Sequence, residues 1–254
     1  IMAEIKKALK FVLCLVPIAI TAGIFTGLYL LDTYSDDVIA EATAQLGSTG
    51  ALVAVSTIQT VLYSAVCGFV GYILADKLGL WKSIKFEKKK LIVTLVISVV
   101  GGILFSLDYW TFGNVIDGVQ SALASGMTLS GVIASVLYGG VMEEVMMRLF
   151  FMSLIAFIIW KLFFRKCDNK SIPTGVFVAA NILAALAFAA GHLPSTISIF
   201  GQLTPLIVIR CFLLNGVFGM LFGWLYRKYG IVYSMTSHAV FHIVSKLIWL
   251  LFIF

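Results

Sequence analysis

Apolar residues gather in seven long runs: Leu9 to Leu31, Ala51 to Ala75, Leu91 to Trp110, Gly131 to Trp160, Thr174 to His192, Leu203 to Tyr226 and Ile231 to Phe254. Each matches the roughly 20 residues that an α-helix needs to cross a hydrocarbon core. The polar positions between the runs carry a second pattern. Lys6, Lys7 and Lys10 precede the first run, and Asp32, Asp36, Asp37 and Glu41 follow it. Lys77, Lys82, Lys85, Lys88, Lys89 and Lys90 follow the second, Asp108 and Asp117 the third, and Lys161, Arg165, Lys166 and Lys170 the fourth. No charge follows the fifth run, and Arg227 and Lys228 follow the sixth. Every second loop is basic, which by the positive-inside rule puts the N-terminus in the cytoplasm and the C-terminus outside. A missed or invented span would break that alternation.

Two stretches need separate readings. Thr111 to Met127, with Gly113, Asp117, Gln120 and Gly126, is too polar to face lipid. It predicts an extracytoplasmic loop with a short interfacial helix, or an eighth helix if it packs inside. Pro194, close behind His192, predicts an end or kink of the fifth span there.

Composition agrees with the pattern: of 254 residues 61% are hydrophobic and 12% charged, with mean hydropathy +1.06. A soluble core could not hide that much apolar surface, so the expectation is an all-α polytopic membrane protein, residues 1–254 forming one bilayer-embedded bundle. The first run is too long for a signal-peptide core and lacks a clear small-residue cleavage site, so it reads as a retained span. The net charge of +6 sits in clusters between spans, which excludes a nucleic-acid-binding face and leaves the bilayer as the partner it reports. Cys14, Cys67 and Cys211 lie within spans and Cys167 in a basic loop, so no disulfide framework is expected. No internal repeat or low-complexity linker divides the chain.

Against this background Glu143, Glu144 and Arg148 stand out inside the fourth run. Each ionisable group near the bilayer centre costs at least about 2.5 kcal/mol. In a helix Glu144 and Arg148 are i and i+4 on one face and can pair, while Glu143 points about 100° away and is left over. The three histidines, His192, His238 and His242, all lie at or within spans. Singly, each reads as an interhelical hydrogen bond; jointly with an unpaired Glu143 they predict a polar pocket in the bundle. Amide hydrolysis needs a nucleophilic water, a base and donors for the developing oxyanion, and these side chains supply all three. The alternative is zinc held by His192, His238, His242 and Glu143, although no HExxH motif is present. Simple counting along the helices does not bring the groups to one depth. Glu143 lies about 25 Å from Trp160, His192 about 27 Å from Thr174, and His238 and His242 about 10 and 16 Å from Ile231. Of the other polar residues, Arg210 and Lys246 are expected to snorkel, and Asn181 and Asn215 to make helix–helix hydrogen bonds.

The order of these residues resembles the CPBP family, also called CAAX proteases and bacteriocin-processing enzymes or Abi proteins. The resemblance rests on Glu143-Glu144 with Arg148 (EExxxR), Phe188-Ala189-Ala190-Gly191-His192 (FxxxH) and a late motif at His238 and His242. A glycine-rich stretch from Asn215 to Tyr226 adds to it. The similarity runs from Val136 to Val244, so residues 131–254 would carry the catalytic core and spans one to three none of it. It implies an intramembrane endopeptidase acting on a peptide or on a prenylated or otherwise hydrophobic protein tail. Glu143 would be the general base, His192 would share its water, Glu144 and Arg148 would hold the helix, and His238 would stabilise the oxyanion. No cofactor is expected; bound zinc would make it a metalloprotease. Two departures stand out: the family's usual HxxxN has His242 in place of Asn, and the glycine that often follows the motif arginine is Leu149. The competing classes are a non-catalytic scaffold or bacteriocin-immunity protein and a proton- or metal-coupled transporter. Against the transporter stands the absence of internal repeats and paired broken helices.

Overall fold

Apolar runs this long have one stable form in lipid, because every backbone N–H and C=O must be satisfied within the segment. A computed structural model describes residues 2–85 and 87–253; Ile1, Phe86 and Phe254, the last residue of the seventh run, lie outside them. Among the described residues there is no strand, and seven helices are long and apolar enough to span. They are Met2–Thr33, Thr49–Lys77, Lys88–Asn114, Leu129–Phe163, Thr174–Phe200, Pro205–Tyr229 and Ile231–Phe252. Side chains such as Ile58, Leu62, Val66, Val96 and Leu104 are exposed along them, the outward apolar surface of an integral multi-pass membrane protein.

Local chemistry sets the ends. Ser48 caps the second span by accepting from Ala51 N at 3.1 Å, filling one of the orphan donors of a helix start. Pro194 sits in the first turn of a separate helix, Leu193–Phe200, which follows the helix Thr174–Gly191; the break expected at Pro194 is there. Thr111 to Met127 forms a tight turn, Phe112–Asn114, and the expected short helix, Val119–Ser125, and no eighth span exists among the described residues. One element was not foreseen. Asp36–Leu46 is a helix with no buried residue, ended by Gly47 at φ 90. Its two N-terminal aspartates mask a short amphipathic run and complement the helix dipole.

The fourth span, 35 residues long, is the axis of the bundle. Met142, Val145, Leu149, Met152 and Ala156 along it are all buried in one apolar cluster. Two glycines let neighbours approach it. A Cβ on Gly140 would lie 2.7 Å from Ala239 Cα, and one on Gly71 would lie 2.9 Å from the Leu149 backbone. The backbone widens to i→i+5 hydrogen bonding over Ser135–Glu143 and Val145–Met152, and again over Phe212–Val217 in the sixth span. Such widening is frequent at functional sites.

Two expectations for polar residues are corrected. Arg210 does not snorkel: its Nε donates to Asp108 Oδ1 at 2.9 Å and its Nη2 to Oδ2, and Asp108 is buried. A bidentate pair satisfies both groups, whereas snorkelling would strand Asp108 in the bundle. Among the described residues Asn215 makes no bond to another helix; its amide donates to Cys211 O one turn back at 2.9 Å. Asn181 does bridge helices, donating to Met220 O at 2.9 Å, and Lys246 points at Gly126 O at 3.5 Å.

Candidate active site

Consecutive positions on the widened fourth span send Glu143 and Glu144 to different surroundings. Glu144 is wholly buried. Arg148 Nε stands 3.5 Å from its Oε1, His238 Nδ1 lies 2.9 Å from the same oxygen, and the Ser234 hydroxyl donates to Oε2. Arg148, 2% exposed, donates to Gly219 O at 3.2 Å and lies 4.6 Å from the Phe188 ring centre. The pairing expected from the i, i+4 spacing is therefore present and locks the fourth span to the fifth, sixth and seventh. Ser234 escaped the sequence reading. It lies one turn before His238 on the same helical face, a position that could have marked it.

Glu143 is partly buried and faces a cavity of about 440 Å³. Its Oε1 is 3.8 Å from His192 Nε2, too far for a direct hydrogen bond. His192 Nδ1 lies 2.8 Å from Phe188 O. A carbonyl only accepts, so Nδ1 carries the proton, and in the neutral ring Nε2 presents its lone pair to the cavity. A water donating two bonds of about 2.8 Å at a near-right angle spans roughly 4 Å, the gap between these acceptors.

His238 and His242 form the opposite wall. Their Nε2 atoms are 3.1 Å apart, and His238 stacks on Phe222 at 4.3 Å between centres. Because the Glu144 carboxylate fixes the His238 proton on Nδ1, neutral His238 offers Nε2 as acceptor, and His242 Nε2–H is the donor between them. Gly139 lies between the two walls: a Cβ there would sit 2.9 Å from His242 Nε2 and 3.9 Å from Glu143 Oε2. All four predicted groups, Glu143, His192, His238 and His242, line the same cavity, while Glu144 and Arg148 lie behind it.

Counting residues missed this convergence because the helices do not end at one level. Ser153 Oγ meets Tyr226 OH at 2.8 Å. Tyr226 is within one turn of the end of its span at Tyr229, whereas about three turns follow Ser153, to Phe163. The fourth span therefore projects about 10 Å beyond the sixth. The His192 ring folds back one turn towards Phe188, which lowers it by about 5 Å.

Among the described residues no three His, Cys, Asp or Glu side chains are grouped to hold a metal ion. Both His238 ring nitrogens are engaged by Glu144 and His242, so a fourfold zinc set would require breaking one of those contacts.

Comparison with known proteins bears out the resemblance. Residues 125–244 match the model of the Rce1-like family, described as type II CAAX prenyl endopeptidase Rce1-like. The matched segment holds all six predicted site residues. No curated protein and no solved structure matches the chain.

Proposed function

We propose that this chain, Rce1-like over the segment that holds its site, is an intramembrane endopeptidase in which Glu143 activates a water shared with His192. The observation that carries the reading is the 3.8 Å gap between Glu143 Oε1 and His192 Nε2, two acceptors facing one cavity. A water donating to both has a lone pair free for attack. Glu143 takes a proton from the water as its oxygen bonds to the scissile carbonyl carbon. The carbonyl electron pair moves onto oxygen, which draws the single His242 Nε2–H away from His238 Nε2. Collapse of the tetrahedral intermediate breaks the C–N bond, and the protonated Glu143 returns its proton to the leaving amine.

His238 acts behind His242. Glu144, held by Arg148 and Ser234, fixes the His238 tautomer, and the His238 lone pair in turn orients His242. This division of labour assigns the oxyanion donor to the family's departing position, His242, and makes His238 a positioning residue. The substrate is a peptide or a prenylated or hydrophobic protein tail, and the hydrolysis needs no metal. The N-terminus is cytoplasmic and the C-terminus extracytoplasmic.

Glu143→Gln tests the reading, because it keeps the shape of the side chain and removes the base. Comparison of membrane and secreted peptides from cells carrying wild type or Glu143→Gln should show cleaved termini only with the wild type. The purified variant should remain monodisperse in detergent, since Glu143 takes no part in the Glu144–Arg148 pair. Wild-type hydrolysis rates in the Gln variant would remove the general base. Identical peptide populations would favour the scaffold or immunity alternative.

A further inference from the structure

The two ends of the bundle differ chemically. Of the 18 lysines and arginines, only Arg148, Arg210 and Lys246 lie away from the N-terminal segment and the loops after the second, fourth and sixth spans. Those loops meet in space. Lys82 Nζ donates to Lys228 O at 2.5 Å, Tyr233 OH donates to Lys85 O at 2.9 Å, and Arg227 donates to Thr174 Oγ1 at 3.0 Å. The opposite end carries Asp32, Asp36, Asp37, Glu41, Asp108 and Asp117, and its one arginine, Arg210, is held by Asp108.

The cavity is placed unevenly between these ends. From Glu143 it extends along Tyr29 and Tyr34 at the end of the first span, Ala122 in the interfacial loop, Phe200 beyond the fifth-span break, and Arg210 near the start of the sixth. Among the described residues, none of the basic loops lines it. On that side the floor is solid: Glu144, Val145, Arg148, Leu149, Met152 and Ser153 are each 2% exposed or less. A polypeptide arriving from the basic end meets about three turns of packed fourth helix before Glu143. One arriving from the acidic end meets an apolar chamber walled by Phe105, Phe188, Phe218 and Phe241.

Fifteen-odd basic groups on one side orient a bundle, each favouring the cytoplasmic leaflet. We infer that the catalytic cavity opens to the extracytoplasmic side, and that the substrate is an apolar peptide segment displayed on that side rather than a tail in the cytosol. The inference rests on the proposed endopeptidase and narrows its substrate. Peptides that have already crossed the bilayer, or the outer ends of membrane-anchored ones, can reach Glu143, whereas a cytosolic C-terminus cannot.

The test separates side from chemistry. In full-length protein with the four native cysteines replaced by alanine, Ala122→Cys and Lys88→Cys are each exposed to a membrane-impermeant biotin maleimide on intact cells. Labelling of Ala122→Cys from outside, with Lys88→Cys labelled only after permeabilisation, is expected; the reverse pattern overturns the inference. Purified Ala122→Cys protein is then assayed with a library of quenched peptides before and after attachment of the biotin maleimide. A fall in hydrolysis of tenfold or more on modification is expected if peptides enter past Ala122. Unchanged hydrolysis would overturn the entry route and leave the endopeptidase intact. No hydrolysis by the unmodified wild type would sink the endopeptidase and the substrate with it, while the labelling pattern still decides which side the cavity faces.

Discussion

His242 stands where the resembled family has asparagine, and replacing it separates two chemistries. Its Nε2 is 3.1 Å from His238 Nε2 and borders the space above Gly139 that Glu143 also borders. As the oxyanion donor it should contribute what one such donor does, about 10²-fold in rate, or about 2.7 kcal/mol of transition-state stabilisation. His242→Ala should lose that amount per folded molecule. It also leaves His238 Nε2 without its donor in an apolar wall, costing about 1–3 kcal/mol of stability; a melting curve in detergent reads this separately from the rate. His242→Asn keeps an N–H at the position and should retain activity within about tenfold of wild type, one donor being replaced by a weaker but similar one. The assay is hydrolysis of a quenched peptide library, with metal content measured on the same preparations. Equal loss in both variants, together with one zinc per chain in wild type that His242→Asn loses, would refute the metal-free assignment, because an amide is a poor zinc ligand.

Three further outcomes follow from the geometry. Glu144→Ala strands the buried Arg148 and should cost about 3–5 kcal/mol, read as a lower melting temperature and yield in detergent; a melting curve equal to that of Glu143→Gln would show that the pair does not hold the bundle. Gly139→Ala pushes a methyl to within 2.9 Å of His242 Nε2 and should lower hydrolysis at least tenfold with little change in melting, whereas full activity would mean that the space between His242 and Glu143 is not where substrate sits. The Asp168 carboxyl is held below its usual value because Ser171 Oγ, Ser171 N and Lys170 N donate to it. A depressed carboxyl stabilises its loop above the unfolded value and loses that contribution as pH falls through the folded one, so the protection of the Lys170 and Ser171 amides, taken against their intrinsic exchange at each pH, should fall below that point, and unchanged protection would contradict the assignment.

Most of the fold was legible because lipid leaves few choices. Seven apolar runs had to become seven helices, and the charge alternation fixed their number independently. What escaped depended on contacts between distant residues. Asp36–Leu46 looked like an acidic loop, since nothing in its charges betrays that it lies outside the bundle as an amphipathic helix with no buried residue. Arg210 looked like a snorkelling cation because its partner, Asp108, is 102 positions away and was counted as a loop charge. Local sequence cannot distinguish a cation that reaches water from one that reaches a buried carboxylate.

The site was legible in membership and illegible in wiring. The residue types and their order brought Glu143, His192, His238 and His242 together correctly, and the i, i+4 spacing correctly paired Glu144 with Arg148. Depth failed because a helix count assumes a common base plane, and the Ser153–Tyr226 contact sets the fourth span about 10 Å lower than the sixth. The wiring was not legible because the partners of His238 lie far away in sequence or one turn on: its Nδ1 faces Glu144 and its Nε2 faces His242. That wiring explains why histidine can stand at 242. An asparagine could donate to His238 and to an oxyanion without any dependence on tautomer, whereas an imidazole donates from Nε2 only if the proton is kept there. Glu144 enforces this at one remove: by holding the His238 proton on Nδ1 it leaves His238 Nε2 as an acceptor, and the acceptor selects the Nε2–H tautomer of His242. The substitution of His for Asn thus places a new demand on the Glu144–His238 contact. Weakening that contact with Glu144→Gln should harm this protein more than its own His242→Asn variant, in which no tautomer needs to be chosen.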